Sequence, residues 1–227
     1  MPLPQVCAVR GPHVAAAVGA RSGADWNHAD TPHPAPRHRA GTGVTGSDGP
    51  APLLTFGHGT ATRDRIATLL GGAGVRALVD VRAVPGSRRH PDSGRDALAR
   101  WLPQEGIAYR WEPRLGGFRK AAADSPDTFW NNASFRGYAG YTRDPQFVAA
   151  MDELLETVPT VRTAVMCSET LWWRCHRRLI ADFAVLARST PVLHLAHDGR
   201  LAPHRPTAGA RLRDDGLLVY DRADDRG

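Results

Sequence analysis

Reactive side chains follow three short apolar runs of the sequence. They are His58 after the first run, Asp80 and Arg82 at the end of the second, and Cys167 and Glu169 after the third. The members of each pair are two residues apart, so they would face the same way in extended backbone. These residue types suit general acid–base chemistry by a carboxylate or an imidazole, covalent attack by a thiolate, and anion binding by a guanidinium.

The apolar runs predict the strands that position these side chains. The predicted strands are Leu53–Phe56, Ala77–Val81, Ile107–Trp111, Thr163–Met166 and Pro191–Ala196. Because helical segments separate them, we predict an α/β fold: a mainly parallel, twisted sheet of about five strands with helices on both faces, in a Rossmann-like three-layer arrangement. Ligands of such sheets bind beyond the carboxyl ends of the strands, so the reactive side chains are expected to share a cleft there.

Four segments between the strands are predicted to be helical. The first is capped by Thr60 or Thr62, the second spans Asp96–Leu102, the third begins with the cap Asp144 and the fourth runs from about Leu171 to Arg188. The stretch between Pro113 and Arg143 has no sustained periodicity, so it is predicted to be long and irregular.

Composition divides the chain into three parts. Residues 1–52 are rich in Gly, Pro, Ala and His and predict a flexible N-terminal tail, residues 53–202 form the α/β domain, and residues 203–227 form a C-terminal extension with one possible added strand at Leu217–Tyr220. The odd number of cysteines, three, argues against a disulfide framework. With no signal sequence and no apolar stretch of membrane-spanning length, we predict a cytoplasmic protein that does not enter a membrane.

The formal charge of +6 predicts an anionic partner, either a small molecule or a nucleic acid. The excess comes from arginine, since Lys120 is the only lysine, and arginine binds phosphate bidentately. A genome rich in guanine and cytosine would give the same bias, so this alternative stays open. Arg88, beside Ser87 and Arg89, is either a further phosphate contact or a solvated side chain.

The cysteines and the histidine beside them allow several interpretations. Cys167 could be a thiolate favoured by a helix dipole, or an inert buried residue. Cys175 continues the spacing of Leu171 and Leu179 on the predicted helix, which favours a place in the core. His176 would lie about 100° around that helix from Cys175, which disfavours a shared metal ion, so we predict no metal and no cofactor.

Several short motifs together resemble the domain-of-unknown-function 488 family. They are Thr55-Phe56-Gly57-His58, Leu78-Val79-Asp80-Val81-Arg82 with Pro85, Ser87 and Arg88, Leu115-Gly116-Gly117, Tyr138 with Tyr141, Met166-Cys167-Ser168-Glu169, and Cys175-His176-Arg177. The resemblance covers about Leu53 to Gly199, and Gly59 departs from it because serine is usual there. It implies the α/β fold and a site at His58, Asp80, Arg82, Cys167, Glu169, Cys175, His176 and Arg177, but it implies no reaction.

Two classes of function compete at this stage. The leading hypothesis is an enzyme that acts on a nucleotide or a nucleic-acid component, with Glu169, Asp80, Cys167 and His58 as catalytic candidates. The candidates for substrate binding are Arg82, Arg88, Tyr138, Tyr141, Cys175, His176 and Arg177. The alternatives are a non-catalytic nucleic-acid-binding module and a metal or redox protein that uses Cys167, Cys175 and His176. Arginines and aromatics between Phe118 and Tyr141 would either stack on a base or form a lid on the sheet.

Overall fold

A computed structural model describes residues 49–86 and 90–221. The predicted tail at residues 1–52 lies outside this part of the chain except for its last four residues. The strands are β1 (Leu53–Gly57), β2 (Ala77–Asp80), β3 (Ala108–Trp111), β4 (Thr163–Cys167), β5 (Val192–Leu195), β6 (Leu201–Pro203), β7 (Ala210–Leu212) and β8 (Leu218–Tyr220). The α-helices are α1 (Arg63–Gly72), α2 (Arg95–Trp101), α3 (Ala133–Tyr141), α4 (Pro145–Thr157) and α5 (Arg177–Asp182).

The main sheet has six strands in the order β3-β2-β4-β1-β5-β6. The first five are parallel, and β6 pairs antiparallel with β5 at one edge. The prediction of a mainly parallel α/β sheet is therefore confirmed, with one more strand than the sequence suggested. The less apolar strand β3 lies at the opposite edge, where only one neighbour covers it.

Helices cover both faces of the sheet, as predicted for a three-layer fold. On one face α1 and α2 pack against alternate strand residues such as Leu54 and Leu78. On the other face α3, α4 and α5 pack against the intervening residues, such as Leu53 and Val165. Strands β1, β2 and β4 are buried on both faces, which explains why they are mainly apolar rather than alternating.

Local capping fixes where two of the helices begin. The Thr62 side chain accepts a hydrogen bond from the Arg65 backbone at 3.4 Å, at the start of α1. The Asp144 carboxylate accepts one from the Gln146 backbone at 2.8 Å, at the start of α4. Each bond satisfies an N–H that the helix itself leaves without a partner, and both caps were predicted.

Two helical predictions are wrong. The stretch predicted to be irregular contains α3, which the Asn132 side chain caps by accepting from two backbone N–H groups. The helix predicted from Leu171 begins instead at Arg177, after a single 3₁₀ turn at Trp172–Arg174, and continues as π-helical turns at Phe183–Ala187. The later start removes Cys175 and His176 from the helix, so the angular argument against a shared metal ion no longer applies.

The C-terminal residues pack into the same core as the sheet. β8 is a strand, as expected, but it pairs with β7 in a separate two-stranded sheet and does not extend the main one. Leu218 and Tyr220 of β8 are fully buried among the residues of α3, α4 and α5. The Asp182 carboxylate accepts hydrogen bonds from the Tyr220 hydroxyl and from both the backbone and the hydroxyl of Thr207.

A buried chain of hydrogen bonds links this carboxylate to β1. Asp182 accepts from Nε2 of His204 at 2.9 Å, and Nδ1 of His204 lies 3.0 Å from Nε2 of His194. Nδ1 of His194 lies 2.6 Å from the Thr55 hydroxyl. Both ring nitrogens of His194 therefore have a buried hydrogen-bond partner.

This chain predicts a pH dependence of folding stability. Burial, with the charges of His204 and Arg177, lowers the pKa of His194 from its usual 6.5 to about 3. The unfolded chain takes up a proton at His194 as the pH falls below 6.5, whereas the folded chain does not, so stability is lost as the pH decreases. In urea unfolding between pH 6.5 and 5, we expect His194→Gln to reduce the slope of unfolding free energy by about 1 kcal/mol per pH unit. An unchanged slope would contradict a neutral His194.

The longest helix of the described part, α4, has 13 residues. A bilayer crossing needs about 20 apolar residues, so none of the helices in residues 49–86 and 90–221 could span a membrane.

Candidate functional site

The carboxyl ends of β1, β2 and β4 lie at the same end of the sheet, and residues at the ends of β2 and β4 help to line a cavity of about 440 Å³. Backbone hydrogen bonds between neighbouring strands continue past the strand ends. The His58 backbone N–H donates to the Cys167 carbonyl at 3.0 Å, and the Val81 N–H donates to the Met166 carbonyl at 3.0 Å. The residues that line the cavity are Arg82, Ala83, Val84, Gly117, Phe118, Ser134, Phe135, Tyr138, Cys167, Ser168, Glu169, Arg174, Cys175 and His176. We call this cavity the strand-end cleft.

Arg82 forms the floor of the strand-end cleft and is held there by a buried carboxylate. Asp80 is fully buried and accepts from Nε of Arg82 at 2.8 Å, from Nη2 of Arg82 and from the Tyr109 hydroxyl at 2.9 Å. Nη2 also donates to the Ser93 carbonyl, and Nη1 donates to His58. Of the five N–H groups of this guanidinium, one on Nη1 has no partner among residues 49–86 and 90–221.

His58 lies behind Arg82 as a neutral imidazole. Its Nδ1 donates to the Gly59 carbonyl at 2.9 Å, so its Nε2 accepts from Nη1 of Arg82 at 3.2 Å. Burial, reinforced by the charge of Arg82, lowers the pKa of His58 to about 4. Neither His58 nor Asp80 lines the strand-end cleft, and both contact Arg82.

Glu169 lines the cleft on the loop after β4. Its side chain is half-buried, and one carboxylate oxygen accepts from the Leu171 backbone N–H at 3.1 Å. The other oxygen makes no hydrogen bond within the described residues. The carboxylate is therefore accessible from the cavity while its backbone is fixed.

Arg177 fixes the loop that carries Glu169. The Arg177 side chain is almost completely buried; Nη2 donates to the Glu169 carbonyl and to the Thr170 carbonyl, and Nη1 donates to the Thr55 hydroxyl at 3.5 Å. The guanidinium passes beside Gly57, where an added Cβ would stand 2.0 Å from the Glu169 carbonyl oxygen. Arg177, predicted as a substrate contact, does not line the strand-end cleft and contacts the carbonyls of the loop instead.

Two thiols and an imidazole meet at one side of the cleft. Nδ1 of His176 lies 3.6 Å from Sγ of Cys175 and 3.9 Å from Sγ of Cys167. The two thiols are coupled: the hydrogen bond between them lowers the pKa of Cys175, and that bond together with burial raises the pKa of Cys167. The sequence argument placed the favoured thiolate at Cys167, whereas the contacts favour it at Cys175, beside the charge of Arg177.

The outer part of the cleft combines aromatic and cationic side chains. Phe118 is 90% exposed and faces the cavity together with Phe135, and the ring of Tyr138 lies behind them with its hydroxyl bound to the Leu115 carbonyl. Arg174 is exposed at the rim, and its guanidinium makes no hydrogen bond or ion pair with residues 49–86 or 90–221. Tyr141 lies elsewhere, where its ring contacts Arg119.

One further candidate, Arg88, falls outside the described residues, so its proposed phosphate contact stays a prediction.

The family model for the domain of unknown function DUF488 matches residues 62–184, more than half of the chain. The chain belongs to the DUF488 family. None of the curated proteins and none of the solved structures matches it. The DUF488 match includes the side chains that line the cleft after β2 and β4, and it begins after His58. It is shorter at both ends than the resemblance seen in the sequence, which extended from about Leu53 to Gly199.

Sequence reasoning missed two features of the site. Arg174 is not among the candidates predicted from the sequence, because the 3₁₀ turn that directs it to the rim gives no sequence signal. Ser134 and Phe135 reach the cleft because α3 exists. The polar cap Asn132 was the one signal that could have revealed that helix.

Proposed function

We propose that this protein is an enzyme that acts on a nucleotide or a nucleic-acid component bound in the strand-end cleft. The observation that carries the proposal is the lining of one cavity by a carboxylate, thiols, aromatic rings and a guanidinium, that of Arg174, with no ion pair in the described part of the chain. A cavity of about 440 Å³ has the size of a small-molecule site rather than of a groove for a long polymer. This size favours the enzyme over the nucleic-acid-binding module.

The lining suits a planar ring attached to an anionic group. Phe118 and Phe135 offer aromatic surfaces on which a base could stack, at a rim that is open to solvent. Arg174 offers five N–H donors to a phosphate, and Arg82 offers one more from the floor. Because Asp80 already neutralises Arg82, the main electrostatic attraction for an anion comes from Arg174.

Glu169 is the group best placed for proton transfer. It is the one carboxylate among the lining residues, and its second oxygen has no partner in the described part of the chain. A carboxylate held by one backbone bond and open to a cavity can take a proton from a nucleophile and return it to a leaving group.

The test combines ligand binding with turnover. Thermal-shift and calorimetric titrations with nucleobases, nucleosides and nucleotides should give a ligand that stabilises the native protein. Arg174→Ala should weaken a phosphate-bearing ligand by about tenfold or more, the loss of one charge-assisted contact, while the exposed Arg205→Ala serves as control.

Glu169→Gln should retain the ligand and lose about 10²–10⁴-fold in turnover, and the exposed Glu156→Gln on α4 should retain both. Full turnover in Glu169→Gln would remove this residue from the mechanism. Salt-sensitive binding of DNA or RNA without turnover would replace the enzyme with the nucleic-acid-binding alternative.

A further inference from the structure

We propose that Cys167, Cys175 and His176 bind a divalent transition-metal ion of the zinc type, with the remaining coordination position facing the strand-end cleft. Each residue offers one ligand atom, and these three atoms all lie within 4.8 Å of one another. All three residues also line the cleft. The sequence argument against such a site assumed a helix through Cys175 and His176, and that helix begins only at Arg177.

The two sulfur–nitrogen distances match tetrahedral coordination. With zinc–sulfur bonds of about 2.3 Å and zinc–nitrogen bonds of about 2.05 Å, a tetrahedral angle separates sulfur from nitrogen by about 3.6 Å. The observed separations from Nδ1 of His176 are 3.6 Å to Cys175 and 3.9 Å to Cys167. The two sulfurs lie within 4.8 Å of each other and would approach each other to about 3.8 Å around a bound ion.

The hydrogen bond on the far side of His176 sets the tautomer that a ligand needs. Nε2 lies 3.0 Å from the Val81 carbonyl, which can only accept, so the proton of the neutral ring is on Nε2. The lone pair on Nδ1 then points to the side where both sulfurs lie. Metal-bound histidines commonly donate a hydrogen bond from their other ring nitrogen to a backbone carbonyl, which fixes both the tautomer and the ring orientation.

The composition and openness of the cluster indicate the type of site. Two thiolates and an imidazole favour zinc and similar ions over magnesium or calcium, which prefer oxygen ligands. The described residues supply three ligands to this cluster, the number typical of catalytic zinc sites, whereas structural sites have four. Gly117 leaves space beside the cluster, since an added Cβ would stand 3.2 Å from Nδ1 of His176.

An ion here would give the cleft a nucleophile, a use that rests on the enzyme function proposed above. A metal-bound water has a pKa near 7, and Glu169 in the same cavity could take its proton. The resulting hydroxide would donate an electron pair to an electrophilic carbon of the substrate. The bond to the leaving group would break with its electron pair, and the leaving group would take the proton from Glu169.

The experiment measures metal binding without any substrate. The full chain is produced without a metal-affinity tag, purified without chelators, and analysed by inductively coupled plasma mass spectrometry. We expect about one zinc ion per chain. After removal of the metal, added Co²⁺ should give sulfur-to-cobalt charge-transfer bands and the intense visible bands of a tetrahedral site.

Cys175→Ser and His176→Ala should weaken Co²⁺ binding by about 100-fold or more, because each removes a direct ligand. Cys7→Ser, which removes the cysteine outside the described residues, is the control and should keep the full spectrum. The wild-type spectrum is decisive even if a ligand variant fails to fold. X-ray absorption should find two sulfur neighbours at about 2.3 Å.

Wild-type protein that holds no metal and gives no cobalt spectrum would overturn the proposal, as would a Cys167–Cys175 disulfide in protein purified under reducing conditions. The two proposals fail separately. A metal-loaded protein that neither binds nor turns over nucleotides would remove the proposed function alone, and nucleotide turnover by a protein that binds neither zinc nor Co²⁺ would remove the metal site alone.

Discussion

Replacing Asp80 with alanine should lower the free energy of unfolding by about 3–5 kcal/mol. The carboxylate is fully buried and accepts from the Arg82 side chain and backbone and from the Tyr109 hydroxyl. Alanine would leave a buried guanidinium without its counter-charge and a buried hydroxyl without its acceptor. Urea unfolding should show a lower midpoint with a similar dependence on denaturant concentration.

Asp96→Ala is the matched control for this effect. Asp96 also pairs with an arginine, Arg95, but its side chain is 81% exposed. Exposed pairs contribute about 0–1 kcal/mol, so the control should unfold near the wild-type midpoint. Equal losses in the two variants would show that burial of the Asp80–Arg82 pair does not matter. The loss at Asp80 should also reduce ligand binding in the cleft, because Arg82 would no longer be held in place.

Replacing Gly57 with alanine should have the second large effect, a loss of about 3 kcal/mol or more. An added Cβ would lie 2.0 Å from the Glu169 carbonyl oxygen and 2.5 Å from Nη2 of Arg177. Neither neighbour can move easily, since the first is backbone and the second is buried between two carbonyls and β1. Relief of the clash would displace the loop that carries Glu169, so turnover should fall even where the protein still folds.

Gly71→Ala provides the comparison. Gly71 lies in α1 and is exposed, and a Cβ added there would have no heavy atom within 4 Å beyond its own helix backbone and chain neighbours. Alanine favours a helix over glycine by about 1 kcal/mol, so this variant should be at least as stable as wild type. If Gly57→Ala unfolds at the same urea concentration as Gly71→Ala, the close approach of the Glu169 carbonyl to Gly57 does not require glycine at this position.

The parts of the fold that were predicted correctly are those specified by residues close to one another in the sequence. Apolar runs bounded by turn residues located the five parallel strands, and the Asp144 cap located the start of α4. The predicted start of α5 was wrong because Leu171 and Cys175 keep the apolar spacing of the helix. This spacing runs through the 3₁₀ turn, which the sequence does not distinguish from an α-helix. Helix α3 was missed because Gly137 and Gly140 lower its helical propensity; at Gly137 an added Cβ would meet the Arg119 carbonyl oxygen at 2.1 Å.

The site was predictable in its position but not in the roles of its residues. Because the candidates follow strands in the sequence, they were predicted to lie beyond the carboxyl ends of those strands. The structure has them at that end of the sheet. Which of them face the cleft depends on contacts between residues far apart in sequence. Arg177 is directed inward by Thr55 and the Glu169 carbonyl, and His58 is directed towards Arg82. Such pairings follow from the packed fold, and the spacing of residues along the chain does not reveal them.

The position of β4 determines when the main sheet can form as one continuous sheet during synthesis. β4 lies between β2 and β1, so these two early strands do not pair with each other. Until residue 167 has emerged from the ribosome, β1 and the β2–β3 pair each keep an open hydrogen-bonding edge. Assembly therefore waits for a strand more than 80 residues downstream of β2. Nascent chains stalled before that point would present the unpaired edges that promote aggregation.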